Sequence, residues 1–168
     1  MEKKHERLEV SRRIEARAEL IFEILSNPNR HMDFDGSGML RGTDHEGSIT
    51  KVGDSFTMKM HRLGDDYLML NHIVEFEPPR CIVWEPAPGD TSRAEDHDPT
   101  KVGIPAGYRW GYILTPDGDD ATVVTEVFDG GPLSRELFRD GAKWINGVNS
   151  LLESINASLE KLEIISTQ

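Results

Sequence analysis

Hydrophobic and polar residues alternate at the start of the chain, and the period then changes. Over residues 7–15 the alternating positions carry Leu8, Val10, Arg12 and Ile14, three of them apolar, which is the pattern of a β-strand with one buried face. Over residues 17–25 the apolar positions recur at helical spacing. Asn27 and Pro28 favour the end of that helix and the start of a second short helix, which reaches about Met32. The pattern predicts one strand followed by two short helices.

The strand period returns several times in the middle of the chain. Residues 35–53 are rich in Gly and Asp and predict a loop with at most one short strand. Two hairpins are indicated, one over residues 53–76 and the other over residues 108–128, each with Gly and Asp in its turn. Pro78 and Pro79 end the first hairpin because proline cannot donate to a strand ladder, and another strand follows them. These strands predict an antiparallel sheet.

Two long segments lack the strand pattern. Residues 86–107 are rich in Pro, Gly, Asp and Ser and predict a long acidic loop, a candidate lid. After Pro132, apolar residues at spacings of three, four and seven predict an amphipathic helix of about 30 residues. Its apolar face comprises Leu133, Leu137, Trp144, Val148, Leu151, Leu152, Ile155, Leu159 and Leu162. Because no linker divides the chain, we expect one α+β domain over residues 1–168.

The composition favours a folded chain and disfavours some classes of binding partner. Hydrophobic residues make up 37% of the sequence, well above the share in a disordered chain. The net charge of −11 disfavours nucleic acid and anionic membrane surfaces as partners. The sequence has a single cysteine, Cys81, and neither an apolar leader nor a membrane span is visible. We therefore expect a cytoplasmic monomer or homodimer without an internal disulfide.

Four local motifs bear on the fold family. They are the strand–helix junction over residues 10–25, VEFEPPR over 74–80, WGYIL over 110–114 and TEVFD over 125–129. Together they resemble the SRPBCC superfamily, also called START-like or helix-grip, and especially its polyketide cyclase/dehydrase-like branch. The resemblance covers nearly the whole chain, although the motifs concern packing and turns rather than chemistry. The long acidic loop is a departure from shorter members.

The resemblance implies a fold and a type of ligand. The implied fold is a curved seven-stranded antiparallel sheet wrapped around the C-terminal helix, with a cavity between them. Members of the superfamily bind lipids, sterols, polyketides or other apolar molecules in that cavity. Some of them catalyse cyclisation, aromatisation or dehydration.

Strand alternation places a largely apolar set of residues on the predicted inner face of the sheet. We interpret these residues, together with one tryptophan of the predicted C-terminal helix, as candidate ligand-binding residues. The set comprises Phe56, Met58, Met60, Trp84, Tyr108, Trp110, Tyr112, Phe128 and Trp144. The alternative is that these side chains only pack against the helix, as most apolar stripes do.

Two ionisable residues, His72 and Glu126, share the predicted inner face. Burying an imidazole or a carboxyl without a partner costs roughly several kcal/mol, so each must pair, meet water or face a cavity. We therefore interpret them as candidate catalytic residues that orient a ligand oxygen or exchange protons as general acid and base. A shift of one residue in the register would instead turn them to solvent.

Three functions stay open on this evidence. The first is binding of an apolar or aromatic small molecule, and the second is a cyclase, aromatase or dehydratase that uses the same cavity with His72 and Glu126. The third is a protein-interaction module of the co-chaperone kind that acts through the acidic surface. No metal, nucleotide or other cofactor is expected, because the His and Asp clusters at residues 31–33, 44–46 and 96–98 lack the separated spacing of a metal site.

Overall fold

A seven-stranded antiparallel sheet forms the centre of the protein, seen in a computed structural model that describes residues 7–62, 64–89, 99–130 and 151–168. The strands are β1 (Arg7–Ile14), β2 (Leu40–Thr43), β3 (Ser55–Arg62), β4 (Asp65–Glu77), β5 (Cys81–Pro88), β6 (Arg109–Pro116) and β7 (Thr122–Asp129). Their order across the sheet is β1-β7-β6-β5-β4-β3-β2, and every neighbouring pair is antiparallel. The predicted seven-stranded α+β fold is confirmed.

Helices cover one side of this sheet. They are α1 (Ala18–Leu25), α2 (His31–Phe34) and the C-terminal α3 (Leu151–Ser166), with short 3₁₀ helices at Pro28–Arg30 and Pro99–Lys101. The side chain of Asn27 accepts a hydrogen bond from the backbone N–H of Asn29 at 3.1 Å and so caps the first 3₁₀ helix. The two short helices after β1 and the C-terminal helix are confirmed. The predicted beginning of the C-terminal helix, which includes Trp144, lies outside the described residues.

Helix α3 packs closely against Gly36, two residues after the end of α2. Its buried apolar side chains are Leu151, Ile155, Leu159 and Leu162. A Cβ atom on Gly36 would lie 2.4 Å from the carbonyl oxygen of Ser154 and 2.5 Å from the backbone nitrogen of Ser158, so this contact requires glycine. The prediction that Leu152 shares the apolar face is wrong. Its side chain is 48% exposed because it lies about 100° around the helix from Leu151.

Strand β4 contains an irregularity between Ile73 and Glu75 that changes which side chains face inward. Before it, Asn71 and Ile73 are buried. After it, Phe76 faces inward, and its ring centroid lies 5.4 Å from that of Phe22 in α1. The prediction that His72 lies on the inner face is wrong, because the extra residue of a bulge reverses the alternation and leaves His72 on the outer face.

Strand β5 extends further than the sequence predicts. The carbonyl oxygens of Pro86 and Pro88 accept hydrogen bonds from Ala106 and Gly103 at 2.9 and 2.8 Å. In an antiparallel strand, the N–H and C=O groups of one residue point to the same edge, so both prolines turn their missing donors away from β4. Residues 86–88 of the predicted loop therefore belong to β5, and Gly103 and Ala106 lie beside them. The part of the predicted loop over residues 90–98 lies outside the described residues.

Candidate functional site

Aromatic rings cluster on the inner face of the sheet. The ring of Trp84 on β5 lies at centroid distances of 5.8 Å from Phe56, 6.1 Å from Tyr112 and 5.7 Å from His31. Phe34 contacts His31 at 5.3 Å and Tyr112 at 6.2 Å. Because His31 and Phe34 belong to α2, the helix and the sheet build this cluster together.

Glu126 lies on β7 directly opposite Tyr112 of β6, at one side of the aromatic cluster. Its side chain is 5% exposed, and its Oε2 atom has no hydrogen-bond partner among the described residues. Burial raises the pKa of Glu126 to about 8, the hydrogen bond with Tyr112 opposes this shift, and the negative charge of Asp35 adds to it. At pH 7 the group is therefore mainly a neutral carboxylic acid.

The charged groups around Glu126 are committed to other partners. The carboxylate of Asp35 accepts hydrogen bonds from the Ser37 hydroxyl at 2.7 Å and from the backbone N–H of Leu40 at 3.1 Å. Arg12 pairs with Val124 in the β1–β7 register, yet its guanidinium donates to Glu163 of α3 at 3.0 Å. Burial, reinforced by the carboxyl of Glu126, raises the pKa of Tyr112 well above its ordinary value. The tyrosine therefore stays a neutral donor.

His31 is a buried imidazole that the sequence did not single out as part of the site. Its Nε2 atom lies 2.7 Å from the carbonyl oxygen of Leu25, so Nε2 carries the hydrogen and Nδ1 is the acceptor. Burial lowers the pKa of His31 to about 4, against the opposing effects of Leu25 and Asp35. The sequence offered one signal, namely Phe34 at helical spacing from His31.

Asn71 occupies the inward position on β4 that the sequence assigned to His72. The side chain of Asn71 is 1% exposed, and its Nδ2 atom has no hydrogen-bond partner among the described residues. It pairs with Phe56 of β3, whose ring contacts Trp84. The site therefore has buried polar atoms without partners among the described residues on β4 and β7, joined through the aromatic cluster, and Arg12 Nε on β1 is a third such atom.

The remaining predicted ligand-binding residues fall into two groups. Phe56, Trp84, Tyr112 and Phe128 are buried, whereas Met58, Met60, Tyr108 and Trp110 are partly buried and pack against the core. The rings of Trp110 and Tyr108 lie 4.6 and 5.9 Å from that of Phe128. Trp144 lies outside the described residues. The predicted set is thus brought together on one face, except for the residue that is not described.

His72 is separated from Glu126 by the sheet. Its Nε2 atom lies 2.9 Å from the carbonyl oxygen of Gly103, in the segment beside β5. Its register partners are Ser55, which is exposed, and Glu85, which pairs with Arg109. This placement gives His72 a structural contact on the outer face and does not bring it to the aromatic cluster.

This arrangement of strands and helices is a helix-grip fold, and several solved structures share it. Protein Ms6760 from Mycobacterium smegmatis superposes with a TM-score of 0.67 at 16% identity, over 99% of this chain and 97% of that one. Ginseng major latex-like protein 151 from Panax ginseng gives a TM-score of 0.64 at 14% identity, over 98% and 99%. The Polyketide_cyc-like protein Cgl2372 from Corynebacterium glutamicum gives 0.52 at 21% identity, over 97% and 90%. At these identities the likeness defines the fold.

Sequence relatives add a partial match. No family model matches the chain. The uncharacterized protein Rv0088 of Mycobacterium tuberculosis is 30% identical over 122 residues, which are 71% of this chain and 46% of that protein. The chain thus spans about half the length of the curated relatives it matches. Within the described residues, no helix is long and apolar enough to cross a bilayer.

Proposed function

We propose that the protein binds an apolar or aromatic small molecule between the inner face of the sheet and the C-terminal helix. The buried atoms Glu126 Oε2 and Asn71 Nδ2, which have no hydrogen-bond partner in the part of the chain that the structure describes, carry this proposal. A buried polar group without a partner costs about 1–3 kcal/mol, and a ligand that supplies the missing hydrogen bond removes that cost. A largely apolar face with a few polar groups is also the usual composition of a small-molecule site.

The partly buried side chains of the inner face support the same proposal. Met58, Met60 and Trp110 pack against the core without being fully covered. Covering apolar surface with a ligand contributes about 25 cal/mol per Å². Methionine also adapts to irregular ligands because its side chain is unbranched and polarizable. These residues give a ligand apolar surface to cover beside the buried rings.

Probe binding tests this proposal directly. We expect the full chain to bind the uncharged fluorescent probe N-phenyl-1-naphthylamine, and native mass spectrometry of the purified protein to reveal a co-purified apolar molecule. Met58→Ala should weaken probe binding several-fold, because Met58 lies on the inner face of β3. The matched control is Lys59→Ala, whose side chain points the other way. Absence of probe binding, or equal effects of the two substitutions, would contradict the proposal.

A second candidate function is proton transfer to a bound substrate. The raised pKa of Glu126, to about 8, favours it because a neutral carboxylic acid beside a tyrosine suits a general acid near pH 7. In such an enzyme a water molecule would accept the α-proton of a β-hydroxy ketone while Glu126 protonates the departing hydroxyl, so that the enone and water form. The proton held by that water would then return to the Glu126 carboxylate. His72 would have no part in this step, since it lies on the outer face.

Turnover measurements distinguish the enzyme from the binding protein. If the protein is a dehydratase, Glu126→Gln should abolish the conversion of a β-hydroxy ketone to its enone, and His72→Ala should retain it. Retained turnover in Glu126→Gln would contradict the general-acid role. The absence of turnover in a wild-type protein that binds the ketone would leave binding as the function.

A further inference from the structure

We propose that the inner-face site selects uncharged ligands that present a carbonyl oxygen, and that the free oxygen of Glu126 donates the hydrogen bond that recognises it. This inference rests on the proposed binding function and names the ligand class. Aromatic ketones and related neutral carbonyl compounds fit the site. Fatty acids and other apolar carboxylates do not.

The surroundings of the Glu126 carboxyl explain why it acts as a donor. In the sheet its direct neighbours are Val10 on β1 and Tyr112 on β6. Tyr112 interacts with the carboxyl, while Oε2 has no partner within the described part of the chain. When the Tyr112 hydroxyl donates to one oxygen of the neutral Glu126 carboxyl, the O–H of that carboxyl is the donor that remains. The ligand atom that complements it is therefore a hydrogen-bond acceptor.

The charges near Glu126 explain why an anionic ligand is rejected. Asp35 is an anion, stabilised by its hydrogen bonds to Ser37 and Leu40. Arg12 is directed at Glu163, and Lys161 donates to the backbone carbonyl of Asp35 at 2.9 Å from the exposed side. His31, which is buried in the cluster, is neutral at pH 7. The guanidinium of Arg12 already forms an ion pair with Glu163, although its Nε atom has no hydrogen-bond partner among the described residues. A buried carboxylate ligand would therefore lie near the Asp35 carboxylate and would have to compete with Glu163 for that guanidinium, which is costly.

A neutral Glu126 also makes the preference depend on pH. The carboxyl pKa of about 8 keeps the proton in place at pH 6.5, whereas at higher pH the ionised group can only accept. The groups that face it are Tyr112 from β6 and Asp35 after α2, with the neutral His31 in the same cluster. We expect the preference for a carbonyl to disappear as the pH rises through about 8.

Three naphthalene probes of similar shape test this inference on the full chain. Binding of naphthalene, 2-acetylnaphthalene and 2-naphthoate is measured at pH 6.5 by titration calorimetry. We expect the ketone to bind about tenfold tighter than naphthalene, which matches the net value of one hydrogen bond, and the carboxylate to bind at least about tenfold weaker than the ketone. Glu126→Leu should bind the ketone and naphthalene with similar affinities, so that the preference for the ketone is lost.

Two further variants separate the loss of the hydrogen-bond donor from a general folding defect. Glu126→Gln keeps a donor that does not titrate, so it should retain the ketone preference at pH 6.5 and at pH 9.5, unlike the wild type. Glu75→Gln, an exposed glutamate on β4, should behave like the wild type. Naphthalene binding without a ketone preference, or tight naphthoate binding, overturns this inference alone. Failure of all three probes to bind overturns the proposed function, and the inference with it.

Discussion

Two glutamates on opposite faces of the same sheet show how differently the protein treats its two surfaces. Glu85 on the outer face accepts a hydrogen bond from Arg109 at 2.8 Å and remains in contact with solvent. Glu126 on the inner face is buried with one oxygen unpartnered in the described residues. The outer carboxylate is arranged as folding stability alone would require. The inner carboxyl costs stability, which indicates that the position serves another purpose.

The neighbouring pair Asn71 and His72 shows the same contrast. The outer residue, His72, finds a partner in the carbonyl of Gly103, whereas the inner residue, Asn71, keeps its Nδ2 atom without one among the described residues. On β4, as on β7, the inner polar group is the one without a partner among the described residues. The inner face therefore combines tight aromatic packing with polar groups available to a ligand.

Truncating the centre of the inner aromatic cluster should have the largest effect. Trp84→Ala removes contacts to Phe56, Tyr112 and His31, and we expect it to lower the free energy of unfolding by about 3–5 kcal/mol. On the outer face, Arg109→Ala removes an exposed ion pair and should cost about 1 kcal/mol or less. Urea denaturation measures both. Similar losses from the two substitutions would erase the contrast between the faces.

The titration of Glu126 should make stability fall as the pH rises. Between pH 4.5 and about 8 the unfolded chain has released this proton and the folded chain has kept it, so the wild type loses stability with rising pH. Above about pH 8 both states are ionised and the loss stops growing. Relative to Glu126→Gln, the wild type should lose on the order of a few kcal/mol across this window. A constant difference between the two proteins would show that the carboxyl titrates normally.

His31 should produce the opposite slope in a lower window. Its pKa is about 4 in the folded protein and 6.5 ordinarily, so only the unfolded chain gains a proton between these values, and stability falls as the pH is lowered. The loss reaches at most about 3 kcal/mol. Below pH 4 both states are protonated and the loss stops. In His31→Gln, the free energy of unfolding measured by urea denaturation should not fall in this way between pH 6.5 and 4. An identical fall in both proteins would show that a group other than His31 causes it.

The smallest effect on ligand binding is expected at His72. His72→Ala removes one hydrogen bond to Gly103, which contributes about 0.5–1.5 kcal/mol, and it should leave ligand affinity unchanged because the side chain lies on the outer face. Asn71→Ala, one residue away on the inner face, should alter the affinity for oxygen-bearing ligands. If His72→Ala weakened ligand binding and Asn71→Ala did not, the assignment of faces on β4 would be wrong.

The fold was predictable because most strands keep a regular period of two. In β6 and β7, alternation places Tyr112 and Glu126 on one face, as the structure does. In β4 the alternation can be read in two ways, because the adjacent residues Ile73 and Val74 are both apolar. Counting back in steps of two from Phe76 places Val74 and His72 on the inner face, whereas the structure places Ile73 and Asn71 there. A bulge is set by local backbone geometry and by pairing with β5, which a single sequence does not reveal.

The other parts of the site depend on tertiary packing. His31 lies beside the charged residue Arg30 in sequence, and only the docking of α2 onto the sheet brings its ring to Trp84. The raised pKa of Glu126 likewise depends on burial under elements distant in sequence, among them the segment that carries Asp35. The sequence therefore predicted the strand positions of the site better than the contribution from the short helices.

The protonation state of Glu126 is the most direct test of the contrast between the two faces. The infrared difference spectrum between the wild type and Glu126→Gln reports the carbonyl stretch of a protonated carboxylic acid. We predict that this band is present at pH 6 and is replaced by carboxylate bands as the pH rises through about 8. A spectrum that already shows only the carboxylate at pH 6 would contradict the neutral inner carboxyl and the ligand selection derived from it.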